Sequence, residues 1–137
     1  MREILFRGKN CVTNNWVYGN YCAAEYLNSN GVEHLIVEVP RNGVSVRIIP
    51  ETVGQYTGLL DKDGKKVFEG DIVKVYDNFD YVGETLYVGT VQWDDTFLNW
   101  ELKTSENIVW SLKNLPSVLY YEVIGNVFDN PELLEVK

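Results

Sequence analysis

Along this chain the apolar residues gather in short runs of β-forming types, broken every few positions by Gly, Asn, Asp or Pro, and no stretch keeps the spacing of an amphipathic helix. Strands are therefore the expected element. Glu3-Ile4-Leu5-Phe6-Arg7 and Asn15-Trp16-Val17-Tyr18-Gly19-Asn20-Tyr21, separated by a Thr-Asn-Asn turn, predict an opening hairpin. His34 to Val39 and Ser45 to Ile49 flank Arg41-Asn42-Gly43. Asn-Gly is a strong hairpin signal, because both central positions of a type I′ turn need positive φ. Pro40 stands beside this turn, where a missing N–H matters least.

The second part repeats the pattern. Gly58-Leu59-Leu60 and Lys66-Val67-Phe68 are joined by Asp61-Lys62-Asp63-Gly64-Lys65, a tight loop whose glycine suits a left-handed position. In the next run Ile72, Lys74 and Tyr76 alternate with Val73 and Val75, which predicts a strand with one apolar face. Further strands are expected at Leu86 to Trp93, Asn99 to Lys103, Ile108 to Trp110 and Tyr121 to Phe128, with a turn at Asp94-Asp95-Thr96. Helical turns are confined to Glu51 to Tyr56, Ser111 to Leu115 and Pro131 to Leu134. In the last, Asn130 stands as N-cap and Pro131 at the first helical position.

This pattern predicts a mainly β protein with only short helical turns. Its N-terminal β lobe, residues 1–56, packs on a second lobe, residues 57–137, which holds a small SH3-like or related β barrel at about residues 57–128. No stretch is rich enough in Pro, Ser or Gly to serve as a flexible linker. Small barrels need large side chains to fill them, so Trp16, Phe68, Trp93 and Phe128 are the candidate core aromatics. A short internal echo, Val17-Tyr18-Gly19-Asn20 against Val123-Ile124-Gly125-Asn126, suggests neighbouring strands in which glycine marks a bulge or a close backbone approach.

Composition narrows the function classes. The 137 residues carry a formal net charge of -8. Residues 1–50 are nearly balanced, with five basic and four acidic side chains, whereas residues 51–137 hold seven lysines against sixteen acids. Every arginine precedes residue 48, which disfavours a duplex-DNA reader, whose footprint is a basic patch. No apolar run approaches the length that spans a bilayer, and no signal-like core follows Met1-Arg2-Glu3, so a cytoplasmic protein is expected. Cys11 and Cys22 match neither a redox nor a zinc spacing and are expected to be structural thiols.

Candidate chemistry is thin. His34, the only histidine, lies on an apolar strand and is expected at the core or its rim. Asp61-Lys62-Asp63-Gly64 begins like a calcium loop, but its glycine stands at the fourth position instead of the sixth, so it reads as a turn. No phosphate-binding, dinucleotide or nucleophile-elbow motif occurs. The expectation is no enzyme, no metal and no cofactor. An unrecognised carboxylate site, with acids such as Asp71 and Asp94 converging and Glu101 nearby, is the enzymatic alternative.

Five blocks in order carry a resemblance. Met1 to Arg7, Ile49-Pro50-Glu51-Thr52-Val53-Gly54-Gln55-Tyr56-Thr57-Gly58-Leu59, Asp61 to Val73, Val91-Gln92-Trp93-Asp94-Asp95 and Tyr121 to Leu133 together resemble the YopX family of phage and prophage proteins. The resemblance covers the whole chain as one YopX-like domain, departing at Glu25 to Gly31 and Asn78 to Gly83. It implies a phage or prophage origin in a bacterial host cell and brings no assigned activity.

The expected function is a non-enzymatic accessory protein that self-associates or binds a host or phage protein, since short strands leave edges to be covered. Aromatics make up 13% of the chain, beyond what a small core requires. Trp100, Trp110, Tyr120 and Tyr121 are the candidate partner surface. The alternative is single-stranded nucleic-acid binding through aromatics and Arg2, Arg7, Arg41 and Arg47, although such grooves are normally lined with positive charge and lysines are sparse after residue 66.

Overall fold

The computed structural model describes residues 2–25, 31–38, 43–77, 85–115 and 119–135. Eleven strands occur in it: β1 (Phe6–Lys9), β2 (Trp16–Glu25), β3 (Val32–Glu38), β4 (Ser45–Arg47), β5 (Gly54–Leu60), β6 (Lys66–Phe68), β7 (Asp71–Asp77), β8 (Thr85–Asp94), β9 (Asn99–Thr104), β10 (Val109–Ser111) and β11 (Leu119–Asn126). The helical segments are three single 3-10 turns, at Pro50–Thr52, Leu112–Asn114 and Pro131–Leu134. The fold is mainly β, as the run pattern predicts. The chain divides into two compact units, Met1–Tyr56 and Thr57–Lys137.

In the first unit β1 pairs β2, β2 pairs β3 and β3 pairs β4, all antiparallel, and β1 also pairs the start of β5. Alternation sends Val17 and Tyr21 of β2, Ile36 of β3 and Val46 of β4 to one face. Val17, Ile36 and Ile48 form its buried cluster, with Tyr21, Val46 and Val53 packed against them. The opposite face of β1 and β2 carries Arg7 and Lys9 beside Trp16, with the Arg7 guanidinium 4.6 Å and Lys9 Nζ 5.4 Å from the Trp16 ring centre. Thr52 anchors the following 3-10 turn, since its Oγ1 accepts from the Lys9 N–H at 2.9 Å and donates to the Ile49 carbonyl at 2.6 Å. The helical turn expected over Glu51 to Tyr56 stops at Thr52 because the backbone is claimed by β1. Phe6 and Arg7 pair with Gln55 and Gly54, and the Tyr56 N–H donates to Leu5 at 2.8 Å.

In the second unit the later part of β5 precedes β6, and a five-stranded antiparallel sheet follows in the order β10-β9-β8-β7-β11. Register places Val73 and Val75, Val91, Leu102 and Val123 on one face. These residues, with Val67 and Leu112, form the larger core cluster, all at most 8% exposed. Asp61 fixes the loop beneath it. Its Oδ1 accepts from the N–H groups of Asp63 and Lys65 at 2.9 Å, and its Oδ2 accepts from the Val123 N–H at 3.0 Å. Burial opposes ionisation of Asp61, but these three backbone donors and the nearby Lys65 outweigh it and hold the carboxyl below its ordinary value. Asp71 locks the next turn by accepting from the Phe68 N–H at 2.7 Å.

Several expectations are corrected. Among the described residues no barrel closes in the second unit: its sheet ends at β10 and β11, and the first part of β5 is paired with β1. Phe68 is buried and Trp16 half-buried, but Trp93 and Phe128 are 40% and 39% exposed and are not core. Trp93 stands at the outer end of β8, edge-on to Trp100 at 5.0 Å. Both cysteines are exposed and unbridged, because Cys11 lies in a turn and Cys22 on the outward face of β2. Asn130 makes no side-chain cap to the last 3-10 turn, its Oδ1 accepting from Asn126 at 3.3 Å. The two V-x-G-N strands are not paired with each other, since β2 lies between β1 and β3 while β11 pairs β7. Each glycine nevertheless meets a close approach: a Cβ on Gly19 would stand 2.0 Å from the Val37 carbonyl oxygen, and one on Gly125 2.6 Å from Asn130 Oδ1, beside a bulge. Pro40, Arg41, Asn42 and the Asn78 to Gly83 stretch lie outside the described residues, as does most of Glu25 to Gly31.

Candidate functional site

The face of the second sheet opposite its core follows from register. Asp94 lies opposite Asn99, Gln92 opposite Glu101, and Ser111 of β10 also opposite Glu101. These residues, with Val109, share one side of β8, β9 and β10, while Trp93, Trp100, Leu102 and Trp110 take the other. An open groove of about 490 Å³ on this polar side is lined by Asp94, Phe97, Asn99, Glu101, Val109 and Ser111. Gln92 Nε2 donates to Glu101 Oε1 at 2.5 Å, and Glu101 is only 9% exposed. Asn99 Nδ2 reaches Ser111 Oγ at 3.5 Å, whereas Asn99 Oδ1 is buried with no hydrogen-bond partner.

The hairpin joining β8 to β9 forms one wall. Asp94 Oδ1 accepts from the Thr96 N–H at 2.9 Å, which sets the expected turn. The next two residues, Phe97 and Leu98, are 77% and 70% exposed. Leu98 holds φ at 53°, a left-handed conformation that leucine adopts at a cost. Val109 on the edge strand β10 is 49% exposed beside them. The site therefore joins an apolar projection, an acidic groove and a sheet edge.

The predicted partner surface is not brought together. Trp100, Trp110 and Tyr121 are half-buried and pack against the core cluster of the second unit. Their positions two residues from Leu102 or Val123, or opposite Leu102, put them on the core side. Tyr120 points the other way and stacks on Tyr76 at 5.5 Å. The Tyr76 hydroxyl donates to Glu122 Oε2 at 2.5 Å, and Lys74 Nζ lies 5.5 Å from the Tyr76 ring centre. The hydrogen bond to Glu122, with burial and that carboxylate's charge, pushes the Tyr76 phenol up to about 12. Phe97 and Leu98 escaped the sequence reading, although two adjacent large apolar residues inside a polar turn were a usable signal.

The alternative sites fare differently. Asp71 is committed to the Phe68 turn and does not line the groove with Asp94, whereas Glu101 does. Of the four arginines, Arg7 is buried on Trp16 and Arg41 lies outside the described residues, while Arg2 is exposed and Arg47, paired with Glu33, keeps its side chain 65% exposed. His34 is half-buried, its Nδ1 2.5 Å from the Tyr21 hydroxyl and its ring stacked on that of Tyr21. Among the described residues no group of three or more His, Cys, Asp or Glu is arranged to hold a metal ion, and no helix is long and apolar enough to cross a membrane.

Comparison with known proteins places the chain. No curated protein matches it. The solved structure titled "Crystal structure of protein EF1440 from Enterococcus faecalis" is similar at 24% identity and a TM-score of 0.58, over 98% of this chain and 99% of that one, which shows a shared fold. The family described as YopX protein matches residues 5–135, from the residue before β1 to the end of the last 3-10 turn and its cap. Both units thus fall inside a single family match, and the chain belongs to the YopX family.

Proposed function

We propose that this protein is a non-enzymatic accessory module of phage or prophage origin, and that it binds a protein partner through the β8–β9 hairpin tip, the groove beside it and the β10 edge. The observation that carries this reading is the pair Phe97 and Leu98, held almost fully in solvent, with Leu98 at positive φ. Large apolar side chains displayed on a strained turn next to a sheet edge form a projection suited to burial by another protein. The acidic lining of the groove and the net charge of -8 favour a basic partner over a second acidic copy. The same charge, with Arg7 buried and Arg47 paired, argues against single-stranded nucleic acid. A bacterial cytoplasm is the setting that the phage reading implies.

The test uses the full chain as immobilised bait in nuclease-treated lysate from phage-induced bacteria, beside Phe97→Ser. The expected result is a near-stoichiometric protein that survives moderate salt and is lost from Phe97→Ser. Recovery of nucleic acid alone without nuclease, lost on raising salt, would overturn the reading. Retention of the same protein by both baits would overturn the assignment of the surface.

A further inference from the structure

Each sheet has two edge strands, and three of the four are short: β4, β6 and β10 hold three residues each. The fourth, β11, holds eight, long enough to template another strand. The Tyr121 carbonyl and the Val123 N–H are taken by residues outside β7. Leu119, Tyr121 and Val123 therefore turn their backbone groups outward, while Tyr120 and Glu122 turn theirs to β7. What meets the outward groups is a set of stops and not a strand. The Lys62 N–H donates to the Tyr121 carbonyl at 2.9 Å, and Asp61 Oδ2 accepts from the Val123 N–H at 3.0 Å. Beyond the bulge between Val123 and Gly125, Asn130 Oδ1 accepts from the Asn126 N–H at 3.3 Å.

We propose that Asp61 and its loop are a built-in stop on β11, which keeps this edge from pairing with β11 of a second copy of the chain. Asp61 is 7% exposed, and its other oxygen is held by the N–H groups of Asp63 and Lys65, so the carboxylate is fixed in place against the edge. An ionised carboxylate only accepts, so it satisfies Val123 without extending the row of donors and acceptors that a further strand would need. The strand it excludes is well matched. Antiparallel pairing centred on Tyr121 would set Glu122 of each copy opposite Tyr120 of the other, with no like charges facing, and would continue the half-buried Leu119 and Tyr121 across the join. The stop acts on the edge opposite β10 and is independent of the docking surface at Phe97.

The experiment measures the mass of the full chain by light scattering from micromolar to millimolar concentration, with amide hydrogen exchange followed by NMR on the same samples. Asp61→Ala should dimerise at least about tenfold more tightly than the wild type. Its Leu119, Tyr121 and Val123 amides should exchange fast when dilute and become protected as the dimer forms, a pattern that aggregation of unfolded chain does not give. Adding Leu119→Pro, which removes an outward N–H at the first residue of β11 and no bond to β7, should restore the monomer. Leu102→Ala, destabilised in the core with the stop intact, should stay monomeric. Asp61→Asn keeps one acceptor and should dimerise more weakly than Asp61→Ala; if circular dichroism shows Asp61→Ala unfolded, Asp61→Asn decides alone. Folded Asp61 variants that stay monomeric would overturn the stop. So would association that protects other amides, that ignores Leu119→Pro or that Leu102→Ala shares, and so would a wild type that itself dimerises with these amides protected.

Discussion

The two faces of the five-stranded sheet are built from the same strands by alternate residues, yet they are satisfied in different ways. On the core face Val73, Val75, Val91, Leu102 and Val123 bury apolar surface against Val67, Leu112 and the half-buried aromatics Trp100, Trp110 and Tyr121. On the other face polar groups are matched pair by pair, Tyr76 with Glu122 and Gln92 with Glu101. Matching runs out at the outer edge. There Asn99 Oδ1 is buried without a partner, and Phe97 and Leu98 stand in solvent. The core face keeps one unmatched buried group as well, Trp110 Nε1, so the faces differ chiefly in exposure: one buries its apolar side chains, whereas the outer edge of the other leaves Phe97 and Leu98 in solvent beside an open groove.

Substitutions across the two faces should therefore have unequal effects on stability. The largest loss is expected for Leu102→Ala. That side chain is fully buried at the centre of the larger cluster, and its removal should cost about 2–5 kcal/mol by denaturant unfolding. Asp61→Asn comes next, because it replaces one of two carboxylate oxygens holding backbone N–H groups. A loss of about 1–3 kcal/mol is expected at neutral pH. The folded-state value of Asp61 is lowered, so its contribution is present above the ordinary value of 3.8 and is lost as pH falls through the lower folded value. The gap between wild type and Asp61→Asn should shrink across that acid range.

Tyr76→Phe removes the hydrogen bond to Glu122 and should cost about 1 kcal/mol. Here the folded value is raised, so the contribution is full below the ordinary value of 10 and disappears as pH rises through about 12, a window that spectrophotometric titration and unfolding can follow together. The smallest effect is expected at the tip. Phe97 is 77% exposed, and Phe97→Ser should change unfolding stability by no more than about 0.5 kcal/mol. A loss above about 2 kcal/mol at Phe97 would erase the distinction between the two faces.

Much of the core face was legible. Alternation in Ile72 to Tyr76 gives the buried Val73 and Val75, although Ile72 on the other face is fully buried too, and the turn residues at 61–65 and 94–96 fall where backbone N–H groups donate to Asp61 and Asp94. Barrel closure was not legible, because it depends on which strand claims β5, and local pattern does not state that Gly54 and Gln55 pair with Arg7 and Phe6. The candidate aromatics are split between the two faces for a readable reason. Trp100 lies two residues from Leu102 and Tyr121 two from Val123, so both share the core side, and strand parity divides them from Tyr120. Burial of Arg7 on Trp16 is a tertiary outcome that charge counting could not show. The groove needed register across three strands, since Asp94, Asn99 and Ser111 converge only once β8, β9 and β10 are aligned.

The central claim is that the hairpin tip is shaped for a partner and not for the fold. Leu98→Gly tests it most directly, since glycine adopts the observed φ of 53° without strain and removes a side chain that is 70% exposed. Unfolding stability and partner retention are measured on the same preparation. The account predicts that stability rises by about 0.5–1 kcal/mol while retention of the captured protein falls. Lower stability, or retention equal to that of the wild type, would contradict it.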